Sequence, residues 1–139
     1  MATVTRFEEL ECWQAARELT GRVYKMSADG LFSRDFGLRD QMRRAGVSAM
    51  SNIAEGFESR TRPMFIEYLG RAKASAGELR AQLFVALDAG YVTEEEFHEL
   101  RDLAEKISAQ ISRLSTYLKS SPDANRVSED CPSYEIPTS

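Results

Sequence analysis

The sequence predicts an all-α protein: an antiparallel up-down four-helix bundle over residues 1–119, followed by a disordered acidic tail over residues 120–139. Three observations lead to this prediction. Apolar residues recur at spacings of three and four in four separate segments, which is the period of an amphipathic helix. Residues that start or stop helices stand between these segments. No stretch of useful length alternates apolar and polar residues, so no strand is expected.

The first two helices are expected at about residues 7–28 and 35–58. Between them, Asp29-Gly30 supplies a helix stop. The second helix contains Gly46 and Gly56, which cost roughly 1 kcal/mol each in a helix interior relative to alanine. We expect this cost to be offset by the close approach of a neighbouring backbone.

The third and fourth helices have the clearest ends. Thr61 can cap the third helix, Pro63 suits its first turn, and Gly90 can end it in a left-handed conformation. Thr93 and Glu96 form the pattern of a capping box at the start of the fourth helix. The short link between the two helices makes them antiparallel. Their apolar seams, which include Leu79, Leu83, Ile107 and Ile111, are expected in the core.

Composition narrows the class of protein. The 139 residues fit one domain, and 42% hydrophobic and 29% charged residues are typical of a soluble globular chain. No signal peptide is visible, and the longest apolar stretch, 83–87, is too short to span a membrane. We therefore expect residence in the cytosol and no membrane partner. With one histidine, His98, no metal-ligand cluster can be drawn, and neither a metal nor a cofactor is expected.

The aromatic side chains and the first cysteine are expected to pack rather than to bind. Trp13, Phe65, Phe84 and Phe97 fall at positions that favour the core. Cys12 lies inside a helical pattern, where a cysteine usually acts as a small apolar residue.

Charge is unevenly distributed along the chain. The net charge is −4, yet residues 34–80 carry a net +3 and residues 120–139 a net −3. A basic stripe that neutralises phosphates is one interpretation. The other is a solvated face with local ion pairs, such as Asp35–Arg39 and Asp40–Arg44. The candidate nucleic-acid-binding residues are Arg39, Arg43, Arg44, Arg60, Arg62, Arg71 and Lys73. The acidic tail could fold back onto them and compete with nucleic acid.

A polar group is predicted inside the bundle. Asn52 falls on the apolar stripe of the second helix, and Glu55 and Glu78 could reach the same layer. These residues could form a carboxylate site for acid–base chemistry or a metal. The favoured interpretation is a hydrogen-bonded polar layer that fixes helix register, since no nucleophile, histidine or cysteine accompanies the acids. The sequence therefore predicts no enzyme and no catalytic residue.

Several motifs in order carry a resemblance to a known family. They are the segment 7–19, Phe36-Gly37-Leu38, Arg43-Arg44-Ala45, Asn52-Ile53-Ala54-Glu55-Gly56 and the segment 86–91. In this order they resemble the four-helix-bundle proteins encoded in intervening sequences of bacterial 23S rRNA genes, over about residues 7–119.

The resemblance carries expectations about assembly and partners. The family is related in fold to the accessory variability determinant of diversity-generating retroelements, a homopentameric barrel with a basic surface that binds nucleic acid and works with a reverse transcriptase. The resemblance therefore implies a homopentamer and suggests RNA or DNA as a partner, with a reverse transcriptase or another protein as a further one.

Two functional hypotheses follow. The first is a nucleic-acid-associated accessory protein whose arginines from several subunits converge on one surface. The second is a structural or scaffolding oligomer that binds a protein partner and leaves an apolar patch exposed. Self-association also has support from the residues, because Val47, Met50 and Ile53 widen the apolar stripe of the second helix beyond a single seam.

Overall fold

Five helices and two short strands are present in residues 2–120 and 133–137, the part of the chain that the computed structural model describes. A single 3-10 turn, Phe7–Glu9, precedes the first helix. The helices are α1 Glu11–Met26, α2 Gly30–Arg34, α3 Phe36–Glu58, α4 Arg62–Asp88 and α5 Glu94–Ser120, and the strands are β1 Ala2–Val4 and β2 Tyr134–Ile136.

Four long helices, α1, α3, α4 and α5, pack as the predicted bundle, which confirms the all-α fold class. The start of the first helix differs from the prediction. The Glu9 carboxylate accepts hydrogen bonds from the backbone N–H of Thr5 at 3.1 Å and of Arg6 at 3.0 Å, and this closes a separate turn. Leu10 then has an extended backbone, so α1 begins only at Glu11.

The predicted ends of α4 and α5 are confirmed. Thr61 Oγ1 accepts from the Met64 N–H at 3.3 Å at the start of α4. Gly90 has a φ of +77°, the left-handed conformation that glycine adopts without strain. At the start of α5 the Thr93 N–H donates to Glu96 Oε1 at 2.8 Å, and the Glu96 N–H donates to Thr93 Oγ1 at 3.1 Å. These contacts lie within four residues in the sequence, which is why the pattern predicts them.

The core lies along the seams between the four long helices. Leu79, Leu83, Ile107 and Ile111 are all fully buried, as predicted. Phe84 is an exception among the predicted core residues, because 50% of its surface is exposed. It follows Leu83 by one position, which turns its side chain about 100° away from the seam.

The two glycines of α3 lie where neighbouring helices approach closely, as predicted. A Cβ added at Gly46 would lie 2.7 Å from Oγ1 and 3.3 Å from Cα of Thr20 in α1. A Cβ added at Gly56 would lie 2.8 Å from Cβ of Tyr68 and 3.0 Å from a ring carbon of Phe65 in α4. Helix α3 therefore contacts α1 on one side and α4 on the other with no room for a methyl group.

Strand β2 lies inside the segment expected to be a disordered tail. It pairs antiparallel with β1, so that Tyr134 stands opposite Val4. The expectation of no strand and no order is wrong for Tyr134–Ile136. The strand is held by a tertiary contact, because the Tyr134 ring packs against Phe57 and Phe65. A strand of three residues is too short for its own sequence pattern to predict such a contact. Residues 121–132 of the same predicted tail lie outside the described residues.

Candidate nucleic-acid interface

The seven candidate basic residues occupy three separate places on the bundle. Three lie in the first half of α3, two lie at the corner between α3 and α4, and two lie along α4. At a rise of 1.5 Å per residue, Arg44 is roughly 20 Å from the end of α3 at the corner. One subunit therefore does not bring the seven side chains together into a single stripe.

A groove of about 480 Å³ lies between the end of α1 and the first half of α3, and we call it the arginine groove. It is lined by Tyr24, Asp40, Arg43, Arg44, Val47 and Ser48.

Arg43 is held in a defined position at the arginine groove. Its Nε donates to Ser27 Oγ at 2.9 Å, and its guanidinium lies over the Tyr24 ring at 4.5 Å from the centroid. Ser27 is itself buried, and its hydroxyl donates to the Val23 carbonyl at 2.7 Å. The guanidinium is therefore preorganised, because hydrogen bonding and stacking fix its plane before any ligand arrives.

Arg44 is exposed and makes no hydrogen bond or ion pair with another residue in the described part of the chain. Neither of the ion pairs expected from the spacing, Asp35–Arg39 and Asp40–Arg44, is formed in the described part of the chain. Asp40 pairs instead with its neighbour Arg39 at 3.0 Å. Asp35 is used at the start of α3 and accepts a hydrogen bond from the Tyr91 hydroxyl at 2.9 Å, and this hydrogen bond raises the pKa of that hydroxyl. Arg44 is left with its charge available.

The corner between α3 and α4 holds Arg60 and Arg62 in different environments. Arg60 is exposed, whereas only 5% of Arg62 is exposed. Arg62 is the first residue of α4, directly after the Thr61 cap, and its guanidinium lies 5.8 Å from the centroid of the Tyr134 ring. The corner therefore presents one arginine to solvent and encloses the other.

Arg71 and Lys73 of α4 are exposed and partnered by neighbouring side chains. Arg71 pairs with Glu67 at 2.9 Å and lies over the Tyr68 ring at 5.0 Å. Lys73 Nζ donates to Ser112 Oγ of α5 at 2.9 Å. An exposed ion pair such as Arg71–Glu67 contributes only about 0–1 kcal/mol, and Ser112 offers Lys73 no opposing charge, so either cation can exchange its partner for a phosphate.

The polar contact in the bundle is made by serines rather than by the predicted glutamates. Asn52 Nδ2 donates to the Ser48 carbonyl at 2.8 Å and lies 3.1 Å from Ser48 Oγ, which is 2.8 Å from Ser75 Oγ of α4. Glu55 and Glu78 are exposed. The predicted layer of these three residues is therefore not formed, because apolar residues and glycine fill the core-facing positions of the same turns.

The helices of the bundle match a known family. The family model for the 23S rRNA-intervening sequence protein matches residues 8–113. The chain belongs to this family. The match spans α1 to α4 and most of α5, which includes the arginine groove and the corner at Arg62.

A solved structure has the same fold as this 23S rRNA-intervening sequence family member. It is described as a protein with unknown function from the S23 ribosomal protein family, from Bacteroides thetaiotaomicron. The two chains are 21% identical, with a TM-score of 0.70 over 76% of this chain and 95% of that chain. At this identity the likeness shows the fold alone. A search of curated proteins finds no match.

Cys12 and His98, the other side chains of this family member that could carry chemistry, lie in different environments. Cys12 is buried, and burial raises the pKa of its thiol to about 12, so the nucleophilic thiolate is scarce at neutral pH. His98 is exposed beside the Phe97 ring.

In residues 2–120 and 133–137, no three or more His, Cys, Asp or Glu side chains form a group that could hold a metal ion. No helix among these residues has the length and apolar character needed to cross a membrane.

Three contacts of the site were not anticipated from the sequence. Ser27 lies 16 positions before the arginine that it anchors, and Tyr134 lies 72 positions after the arginine that it covers. Tyr24 supplies the ring over which the Arg43 guanidinium lies. Of these, only Tyr24 has a sequence signal, since it falls beside the apolar stripe of α1 rather than on it.

Proposed function

We propose that this 23S rRNA-intervening sequence family member is a non-catalytic, oligomeric accessory protein of the cytosol that associates with RNA or DNA. The partner that we propose is ribosomal RNA, or RNA or DNA together with a reverse transcriptase. The observation that carries the proposal is the arginine groove, where Arg44 is without a partner among the described residues and Arg43 is held against Tyr24.

The chemistry of the groove suits a nucleic-acid strand. Arg44 can neutralise a phosphate and release the counterions bound to it, which drives association. Arg43 has a fixed guanidinium plane and Tyr24 has an exposed aromatic ring, and both kinds of surface stack on bases. Asp40 lines the same groove, and its negative charge would repel a phosphate. Its carboxylate is already paired with Arg39, which reduces this repulsion.

Assembly would multiply this weak site. One subunit offers a single arginine groove, whereas a ring repeats the groove once per subunit and turns several weak contacts into one strong one. A homopentamer, as the family resemblance implies, would present five grooves. Of the apolar stripe that was expected to meet another subunit, Ile53 is buried in the core of the bundle and Val47 lines the arginine groove itself, so the homopentamer is supported by the family resemblance.

Binding to RNA at several salt concentrations tests the proposal. A fluorescent single-stranded RNA should bind at low salt, and the logarithm of its affinity should fall linearly with that of the salt concentration. Arg44→Glu should weaken binding by roughly ten-fold and reduce the salt slope by about one for each groove engaged. Lys106→Glu makes the same charge change at an exposed position of α5 and should have a much smaller effect. Equal losses in the two variants, or no binding at low salt, would reject the groove as the site.

A second candidate function, a scaffolding oligomer that binds a protein partner, is favoured by one observation. Phe84 and Val85 are adjacent on α4 and are 50% and 53% exposed, which gives an apolar patch on the outside of the bundle. This hypothesis predicts a nuclease-resistant complex with one protein. Phe84→Ser should abolish that complex and leave the RNA affinity unchanged.

A further inference from the structure

Arg62 is an enclosed cation with unmet hydrogen bonds. Only 5% of the residue is exposed, and neither Nε nor Nη1 has an acceptor among the described residues. Burying these N–H groups without acceptors is costly, because they have lost their water and gained no hydrogen bond in return. Such a group in a folded protein calls for a physical explanation.

The surroundings of Arg62 favour an anion. Arg62 is the first residue of α4, whose first turn contains no acidic residue. By contrast, the first turn of α5 contains Glu94, Glu95 and Glu96, which suit the positive end of a helix dipole. Glu58 lies near the corner but is exposed, and no ion pair joins it to Arg62 in the part of the chain described. Glu58 therefore contributes negative charge near this corner, but Arg62 has no ion-pair partner among the described residues.

Tyr134 covers the Arg62 guanidinium. Its ring packs at 5.2 Å from the centroid of Phe57 and at 5.0 Å from that of Phe65, and only 6% of the residue is exposed. Burial raises the pKa of the Tyr134 hydroxyl, an effect that the Arg62 charge opposes and the Glu58 charge reinforces. The cover is attached through β2, which pairs with β1 over only three residues. A two-stranded sheet this short is marginal by itself, so the cover is held mainly by its tyrosine.

We infer that Arg62 is the base of a covered binding site for phosphoryl groups, and that Tyr134 is its removable cover. A phosphoryl group has several acceptor oxygens and carries the charge that Nε and Nη1 lack. When the Tyr134 ring leaves, Arg62 joins the exposed Arg60 at the same corner. The inference rests on the proposed function, since it makes the C-terminal strand a regulator of nucleic-acid binding. Strand β2 lies outside the family match at 8–113, so this cover is a feature of the present chain rather than of the matched region.

Chemical modification of arginine tests the cover without any nucleic acid. Phenylglyoxal reacts with accessible guanidinium groups, and mass spectrometry of the full chain measures the rate at each arginine. Arg62 should react at least roughly ten-fold more slowly than the exposed Arg44, because it reacts only through local opening. Tyr134→Ala should raise the Arg62 rate toward that of Arg44, whereas Tyr134→Phe, which keeps the ring, should not.

The cover has an independent second variant. Ile136→Asp weakens β2 at its half-buried position and leaves the tyrosine ring intact, and it should also raise the Arg62 rate. Helix content from circular dichroism identifies any variant that loses the bundle. An Arg62 that already reacts as fast as Arg44 in the unchanged protein would overturn the inference. So would an Arg62 that stays protected in both variants.

Binding of inorganic pyrophosphate tests the site itself. Tyr134→Ala should bind pyrophosphate about ten-fold more tightly than the unchanged protein, and the double variant Tyr134→Ala/Arg62→Gln should lose that gain. Faster modification of Arg62 with no gain in pyrophosphate affinity would overturn the site. If pyrophosphate binds as expected and no variant binds RNA, the site stands and the proposed function fails. If RNA binding depends on Arg44 but neither probe responds to Tyr134→Ala, the proposed function stands and this inference fails.

Discussion

Gly56→Ala is expected to destabilise the protein although alanine is the better helix former. The added methyl group would lie 2.8 Å from Tyr68 Cβ and 3.0 Å from a ring carbon of Phe65, both closer than carbon atoms normally approach. Forcing a methyl into a packed contact costs typically about 1–3 kcal/mol. The gain in helix propensity returns roughly 1 kcal/mol, so we expect a net loss of about 1 kcal/mol in the free energy of unfolding.

Gly70→Ala in α4 is the matched control. No atom lies within 4 Å of a Cβ built at Gly70, so only the propensity term acts, and the variant should gain about 0.5–1 kcal/mol. The two variants should therefore differ by roughly 2 kcal/mol, or several degrees in melting temperature. Urea unfolding followed by circular dichroism measures both, at one protein concentration because assembly contributes to stability. A Gly56→Ala variant as stable as Gly70→Ala would refute the argument that α3 and α4 are in contact at this glycine.

Two further predictions concern a helix cap and a buried thiol. Thr93→Ala removes the hydroxyl that accepts the Glu96 N–H and should cost about 1 kcal/mol in urea unfolding, whereas Thr116→Ala at an exposed position within α5 should change little. Burial raises the pKa of Cys12 to about 12, so above about pH 9 the unfolded chain loses this proton while the folded protein keeps it. Stability should therefore fall as pH rises through this range. Cys12→Ala should flatten the decline, and an unchanged slope in that variant would contradict the assignment.

The ends of the helices were predictable because their signals are local. Thr61, Gly90 and the pair Thr93 and Glu96 each act within one turn of the chain, and the structure places all of them as the pattern predicts. The family was also accessible from the order of motifs, and the match over residues 8–113 confirms it. The start of α1 was less predictable, because Glu9 diverts the chain into a separate turn before Leu10.

The environments of the candidate site residues were not predictable, because they depend on partners distant in the sequence. Arg43 is anchored by Ser27 of the preceding segment, and Asn52 contacts a serine pair that bridges α3 and α4. Phe84 is a second example of an environment that the sequence did not predict. It is an apolar residue next to a core position, so the pattern favours burial, yet half of its surface is exposed. Residue type alone does not reveal which side of a helix meets a neighbour.

The amino-acid sequence by itself determined four amphipathic helices, their caps and the seam that they bury, since a period of 3.6 residues and the chemistry of a helix end act over a few neighbouring positions. Only the tertiary structure decided which arginines are available. Arg44 is left exposed beside a fixed Arg43, and Arg62 is enclosed beneath a tyrosine from the far end of the chain. The physical reason is that burial and hydrogen-bond partners are properties of the packed chain, and seven cations that look alike in the sequence take up different environments once the helices meet.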